Sequence, residues 1–274
     1  MNRHVKEGWH LTVKQFYIVI ILFLYQLLCG VLLYRLVQSA VIPILLRYPD
    51  PQQSELSQVL YWMEGQIQLM ESREVHLYLW ALAGFGLFRI LLTPLIRSGI
   101  YYSLHERNEE QSRPSFIQGM FKLWKPVTLY YTIELLLLAL PAYWVVPKMV
   151  PGVIGSIQDP AQLLHVIPYM LGWLIYGFLV KEMLLFMQFG ATGGSRAVEG
   201  LWISVRHILP LLAVALTLGL FNVICFGLFS AVSMIWTGLL ALLLQQSYHL
   251  VRCILRLWNI SAQFHLYRSY IRKD

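Results

Sequence analysis

The stretch Ile208-Leu-Pro-Leu-Leu-Ala-Val-Ala-Leu-Thr-Leu-Gly-Leu-Phe-Asn-Val-Ile-Cys-Phe-Gly-Leu-Phe-Ser-Ala-Val-Ser-Met-Ile-Trp-Thr-Gly-Leu-Leu-Ala-Leu-Leu-Leu244 runs for 37 residues without a formal charge. About 20 apolar residues, rising about 1.5 Å each, cross the hydrocarbon core of a bilayer. The run is too long for one crossing and sufficient for two with a tight turn between them. We place that turn near 226–230, around Gly227, which gives spans at 208–227 and 230–250.

Four further apolar runs lie upstream, at 16–37, 77–96, 127–147 and 163–187. The pattern predicts an all-α polytopic membrane bundle of six transmembrane helices in one domain, with a C-terminal tail at 251–274. Composition agrees. Apolar residues make up 58% of the chain and charged residues 13%, about half the roughly 25% usual in soluble domains. So few charges could not cover a soluble fold of this size. No cleavable signal is expected, because the first apolar run continues to Val37, well past the length of a signal core. Cys29, Cys225 and Cys253 lie in or beside apolar runs with no CxxC spacing, and read as small buried hydrophobes.

Charge fixes the expected orientation. The formal net charge is +7. In a membrane protein, excess Lys and Arg marks cytoplasmic segments and anionic headgroups, not nucleic acid. With the N-terminus inside, the inner segments hold fifteen of the 21 Lys and Arg residues, and the outer ones only Arg47, Arg73 and Lys148. Arg35, Arg89 and Lys181 lie within spans. This asymmetry predicts an even number of spans, both termini in the cytoplasm, and residence in the cell membrane. Trp9, Trp124, Trp202 and Trp258 fall near the inner boundary, and Trp62, Trp80, Tyr143, Trp144 and Trp173 near the outer one, as interfacial anchors do. Asp50-Pro51 is a helix start, and the helical spacing of Leu56, Val59, Leu60, Met63, Ile67 and Met70 predicts an outer amphipathic helix at 51–71 packed on its own spans. Asp159-Pro160 repeats the start signal ahead of the fourth span, and Pro168 should kink it.

A local pattern recurs three times, each before an odd-numbered span. It reads Glu7-Gly8-Trp9 with Lys14, then Gln118-Gly119-Met120-Phe121 with Lys125, then Glu199-Gly200-Leu201-Trp202 with Arg206. In every copy the basic residue follows the glycine by six positions. A short interfacial helix fits this pattern. Its bulky side chains dip into the acyl boundary, its cation reaches phosphate, and its glycine permits close approach to another helix. Ser115 with Gln118 makes a capping box for the second copy. The expected architecture is therefore three helical hairpins, each entered through an elbow helix.

The chain resembles a family at these same places. Arg97-Ser-Gly-Ile-Tyr-Tyr102, the charged loop after it, Ser115-Phe-Ile-Gln-Gly119, Glu199-Gly-Leu-Trp-Ile-Ser-Val-Arg206 and Phe264-His-Leu-Tyr-Arg268 are similar to poorly characterised bacterial six-span membrane proteins. Those include the membrane domain fused to some glycerophosphodiester phosphodiesterases. The resemblance implies a helical membrane fold. It carries over no activity, since this chain has no room for the phosphodiesterase domain.

Charges within spans need partners or water. Arg89 precedes Arg97 by eight residues, and Glu134 follows Lys125 by nine. At about 1.5 Å per residue, both lie roughly 12–13 Å inside the cytoplasmic boundary. They are expected to form a buried pair between the second and third spans that sets helix register. Lys181, Glu182 and Arg35 read as snorkelling side chains.

Catalytic patterns are not found. Glu109-Glu110-Gln-Ser-Arg113 is too tightly spaced for the paired-glutamate motif of CAAX-type intramembrane proteases. There is no HExxH and no serine elbow. Three aspartates, Asp50, Asp159 and Asp274, do not make a metal site for lipid phosphotransfer. Gly190-Ala-Thr-Gly-Gly-Ser-Arg196 is the most nest-like loop. It lacks the Lys-Ser/Thr of a P-loop, and its bland reading is a flexible connector. No cofactor or metal is expected. The expected partners are membrane lipids, through Lys14, Lys125, Arg196 and Arg206 on anionic cytoplasmic headgroups, and a protein partner or a second copy of the chain. The function expected is non-catalytic, with a transporter or ABC-type permease subunit as the alternative and a lipid-modifying enzyme third.

Overall fold

A computed structural model describes residues 2–46, 73–105, 115–155, 163–194, 197–235 and 239–271. Among these residues nine helices follow one another: α1 (Asn2–Lys14), α2 (Phe16–Leu46), α3 (Arg73–His105), α4 (Ser115–Lys122), α5 (Trp124–Gly155), α6 (Leu163–Thr192), α7 (Ala197–Arg206), α8 (Ile208–Ile235) and α9 (Leu239–Ile271). Five segments are long and apolar enough to cross a membrane: Phe16–Ser39, His76–His105, Trp124–Val153, Val166–Thr192 and Ile208–Met234. The protein is a helical membrane bundle. The expected outer helix at 51–71 and the Asp50-Pro51 and Asp159-Pro160 starts lie outside the described residues.

The turn expected at 226–230 is not there. Helix α8 continues through Gly227 to Ile235. No proline interrupts it near Gly227, and the Ser233 hydroxyl donates 2.9 Å back to the Ser230 carbonyl, so Ser233 is satisfied inside the helix. Of the two helices of the long apolar run, α8 thus extends further than the sequence suggested, to Ile235, and α9 is described from Leu239.

The chain forms two compact units, one from Met1–Ile20 with Pro94–Asp274, the other from Ile21–Thr93. In the smaller unit α2 and α3 are tied by the Tyr78 hydroxyl, which donates 2.8 Å to the Ser39 carbonyl.

In the larger unit the long helices pair antiparallel. Helix α5 packs on α6, where Tyr176 donates 3.1 Å to the Leu137 carbonyl and Lys148 lies 5.9 Å from the Tyr169 ring centre. Helix α8 packs on α9, with Phe221 against Trp258 and both Phe226 and Phe229 against Tyr248.

Short helices α1, α4 and α7 each run into a long helix after a one-residue break, at Gln15, Leu123 and His207. Hydrogen bonds carry the chain across each break. At the first, Ile18 N–H donates 2.9 Å to the Gln15 carbonyl. At the second, Leu123 N–H reaches Gly119 at 3.1 Å, and at the third His207 N–H reaches Ile203 at 3.0 Å. Pro126 and Pro210 fall three residues past their breaks, within the first helical turn, where a missing N–H costs nothing. The first break has no proline. There the Gln15 Nε2 donates 2.8 Å to the Ser103 carbonyl of α3 instead.

The elbow glycines decide how the elbows dock. A Cβ on Gly8 would lie 2.6 Å from the Cα of Ala262 on α9. One on Gly119 would collide with the Tyr102 side chain on α3, and one on Gly200 with the Phe186 carbonyl on α6. Each elbow thus lies against the long helix that ends the preceding third of the chain. The first elbow, having no predecessor, closes the circle on the last helix. Hydrogen bonds and rings reinforce the first two crossings: Trp258 Nε1 donates 2.8 Å to the Val5 carbonyl, Trp9 meets Trp258 edge-on, and Ser98 Oγ reaches the Met120 carbonyl at 3.2 Å.

These crossings set a register in which Tyr102, Met187 and Ala262 are equivalent. Two residues further, Leu104, Phe189 and Phe264 are all buried. Phe189 is the hub of an aromatic core, with ring centres 5.3 Å from Tyr101, 5.4 Å from Phe264 and 5.8 Å from Tyr267. Burial concentrates in this layer, while beyond it most large apolar side chains are exposed, as lipid-facing helices require.

Substitution at the glycines tests the docking. Gly200→Ala would push a methyl into backbone and is expected to cost about 1–3 kcal/mol, the range for overpacking. Gly219→Ala, with no atom within 4 Å, should be neutral or stabilising by about 0.5–1 kcal/mol from helix propensity. Thermal unfolding of the two variants in detergent should separate them, and equal melting temperatures would contradict the close approach.

Candidate functional site

The buried charges gather one and a half to two turns from the elbow crossings. Arg97 of α3 and Glu134 of α5 form a two-pronged ion pair, Nη1 to Oε2 at 2.6 Å and Nη2 to Oε1 at 3.4 Å. Their side chains are only 14% and 7% exposed. The guanidinium carbon also sits 4.9 Å from the Tyr131 ring centre. A planar fork suits this position, because two parallel N–H donors satisfy both carboxylate oxygens at once.

The sequence suggested Arg89 as the partner of Glu134. The carboxylate is instead held by Arg97, which the sequence reading counted as a boundary residue. The reason is helix length. Helix α3 does not end near Ile96 but continues to His105, so Arg97 lies well inside it. Eight residues separate the two arginines, about 12 Å along the axis.

A second polar layer adjoins the pair. The Tyr101 hydroxyl donates 2.7 Å to Gln188 Oε1, and Gln263 Nε2 donates 3.2 Å to Asn259 Oδ1. Ser103, Gln188 and Gln263 occupy equivalent positions on α3, α6 and α9, and all are buried. Glu182 is buried beside them. Glu182 Oε2, Gln188 Nε2, Gln263 Oε1 and Ser261 Oγ have no hydrogen-bond partner. Sequence reasoning missed these glutamines. A lone Gln inside Phe186-Met-Gln-Phe189 or Ala262-Gln-Phe264 carries no spacing signal, and only the crossing register aligns them.

The remaining predicted residues are dispersed. Lys14, Lys125 and Arg206 are exposed, one on each elbow or just past it, beside Trp9, Phe121 with Trp124, and Trp202. Arg196 lies outside the described residues. Lys181, expected to snorkel, is exposed, whereas its neighbour Glu182 faces inward. Among the described residues no three His, Cys, Asp or Glu side chains come together as metal ligands would.

No protein-family model, no curated protein and no solved structure matches this chain.

The ion pair has a direct test. Removing one partner of a buried pair leaves an uncompensated charge, at a cost of about 3–5 kcal/mol. Arg97→Gln and Glu134→Gln are each expected to lower the melting temperature sharply, and Arg97→Met with Glu134→Leu together to cost less than either alone. An additive double variant in a double-mutant cycle would show that the two side chains do not interact.

Proposed function

We propose that this chain is a non-catalytic multi-pass protein of a bacterial cell membrane, crossing six times with both termini cytoplasmic, and acting through lipid and protein partners. The observation that carries the reading is the division of labour on the three elbows. Each turns its glycine into close contact with another helix and leaves an aromatic side chain and a cation outside, Trp9 with Lys14, Trp124 with Lys125, Trp202 with Arg206. A helix of that make lies in an interface, with its rings at the acyl boundary and its cation at phosphate. Helix α9 supplies the sixth crossing with its apolar first half, and the basic residues then collect on one side.

Its best-formed buried ion pair is a clamp. Arg97 and Glu134 are fully engaged with each other across two helices, which suits a register-setting role. The resemblance of short sequence stretches to the membrane domains fused to some glycerophosphodiester phosphodiesterases is in keeping with this reading. A scaffold of this kind could stand alone or beside an enzyme.

One observation favours a second reading, a transporter or permease subunit. Five buried polar atoms on α6 and α9 have no hydrogen-bond partner, His249 Nδ1 being the fifth, and intramembrane polar groups commonly line a substrate or ion path. Purified protein in sealed vesicles separates the two. Under the scaffold reading, Glu182→Gln leaves vesicle permeability to ions and small solutes unchanged; a flux that this variant abolishes would establish transport.

Topology is tested by cysteine labelling after Cys29, Cys225 and Cys253 are replaced. An impermeant maleimide added to intact spheroplasts should modify Gln53→Cys and Gln158→Cys. It should reach Asn108→Cys and Lys273→Cys only after permeabilisation. Labelling of position 273 without permeabilisation would place the C-terminus outside and break the even count.

A further inference from the structure

The elbow crossings put Lys181 and Arg256 at matching places. Lys181 lies five to six residues before the Phe186–Met187 peptide, where Gly200 crosses α6, and Arg256 lies six before Ala262, where Gly8 crosses α9. These similar offsets give the two cations a similar depth on helices that pack together. Arg252 precedes Arg256 by one turn on the same face of α9. All three side chains are exposed.

The carboxylates nearby are turned the other way. Glu134 is taken by Arg97, the one ion pair among the described residues, and Glu182 is buried, about 100° around the helix from Lys181. Lys181 lies within electrostatic range of Arg97 and Arg256 and of the buried Glu182 and Glu134, and Arg256 lies within range of Arg97 and Arg252. With Glu134 taken by Arg97, the cations of this region outnumber the carboxylates, which leaves a net positive face to which an anion is attracted.

We propose that Lys181, Arg252 and Arg256 form a headgroup site on the α6–α9 seam that selects an anionic phospholipid. The proposal rests on the membrane reading above, which puts this seam at the inner leaflet. There the available anion is lipid phosphate, and basic pockets between helices on the cytoplasmic side are suited to it. The Arg252 and Arg256 forks supply directed N–H donors, and Lys181 a point charge from the facing helix. Selection follows because the site presents three cations and no exposed carboxylate, so a zwitterionic headgroup would bring its own ammonium into repulsion.

The test uses the full chain extracted in mild detergent. Native mass spectrometry should show wild-type protein retaining anionic phospholipid, and Lys181→Gln/Arg252→Gln/Arg256→Gln losing most of it. Lys6→Gln/Lys148→Gln/Arg268→Gln, with the same change in net charge, should retain it. In nanodiscs, wild type should melt several degrees higher in phosphatidylglycerol than in phosphatidylcholine, and the first triple variant should lose most of that difference. If it keeps its lipid, or if the charge-matched control loses as much, the site is refuted. Inorganic phosphate reproducing the whole stabilisation without lipid would also overturn it, by making the ligand a free anion. Should the triple variant fail to fold, Lys181→Arg/Arg252→Lys/Arg256→Lys must still prefer phosphatidylglycerol, and a lost preference there counts against the site. Recovery of the chain without detergent would mean that the membrane reading had failed, an outcome distinct from a membrane protein indifferent to headgroup charge.

Discussion

Close docking at three glycines is the constraint on which the larger unit depends. In a bilayer the helices gain little from hiding apolar surface from one another, because lipid is as apolar as leucine. Close packing and polar contacts must hold them. Gly8, Gly119 and Gly200 bring elbow helices against α9, α3 and α6 so closely that an added Cβ would meet the Ala262 backbone, the Tyr102 side chain and the Phe186 carbonyl. That approach lets Phe189 reach Tyr101, Phe264 and Tyr267 at once, and it brings the polar layer of Ser103, Gln188 and Gln263 to one level. Two of these crossings join neighbours in sequence. The third joins the two ends of the chain, so the circle is closed by packing alone.

Charge is arranged around this frame in two ways. Inside, a single arginine fork and a carboxylate satisfy each other between α3 and α5, which limits how those helices can slide. Outside, cations remain on the elbows and on the α6–α9 seam with aromatic side chains close by. Buried pairing fixes structure, whereas exposed unpaired cations select surroundings. Both follow from the cost of a charge in hydrocarbon, which is met by a counter-charge in the interior and by headgroups at the boundary.

Much of this was legible in the sequence, and the gaps have physical causes. Apolar runs of the right length showed the long helices, because a bilayer imposes length directly. The elbows were legible because glycine, aromatic and cation recur at fixed spacing, each needed for a different contact. Their docking was not, since no local signal says that Gly8 meets Ala262 across 254 residues. The partner of Glu134 was missed for a related reason. The sequence marks where apolar character ends, and it was taken as the helix end, but α3 continues through Arg97 to His105. The turn near Gly227 failed similarly, because within an apolar helix a glycine or serine need not break anything.

Closure of the chain ends is the central claim and the least local feature, so the decisive measurement is a photocrosslink from the first elbow. A benzophenone side chain placed at Trp9, whose ring centre lies 4.9 Å from that of Trp258, should on irradiation in membranes give an intramolecular adduct. Peptide mapping should find it on α9 near Trp258. Adducts confined to lipid, to a second copy of the chain or to other helices would contradict the closed arrangement.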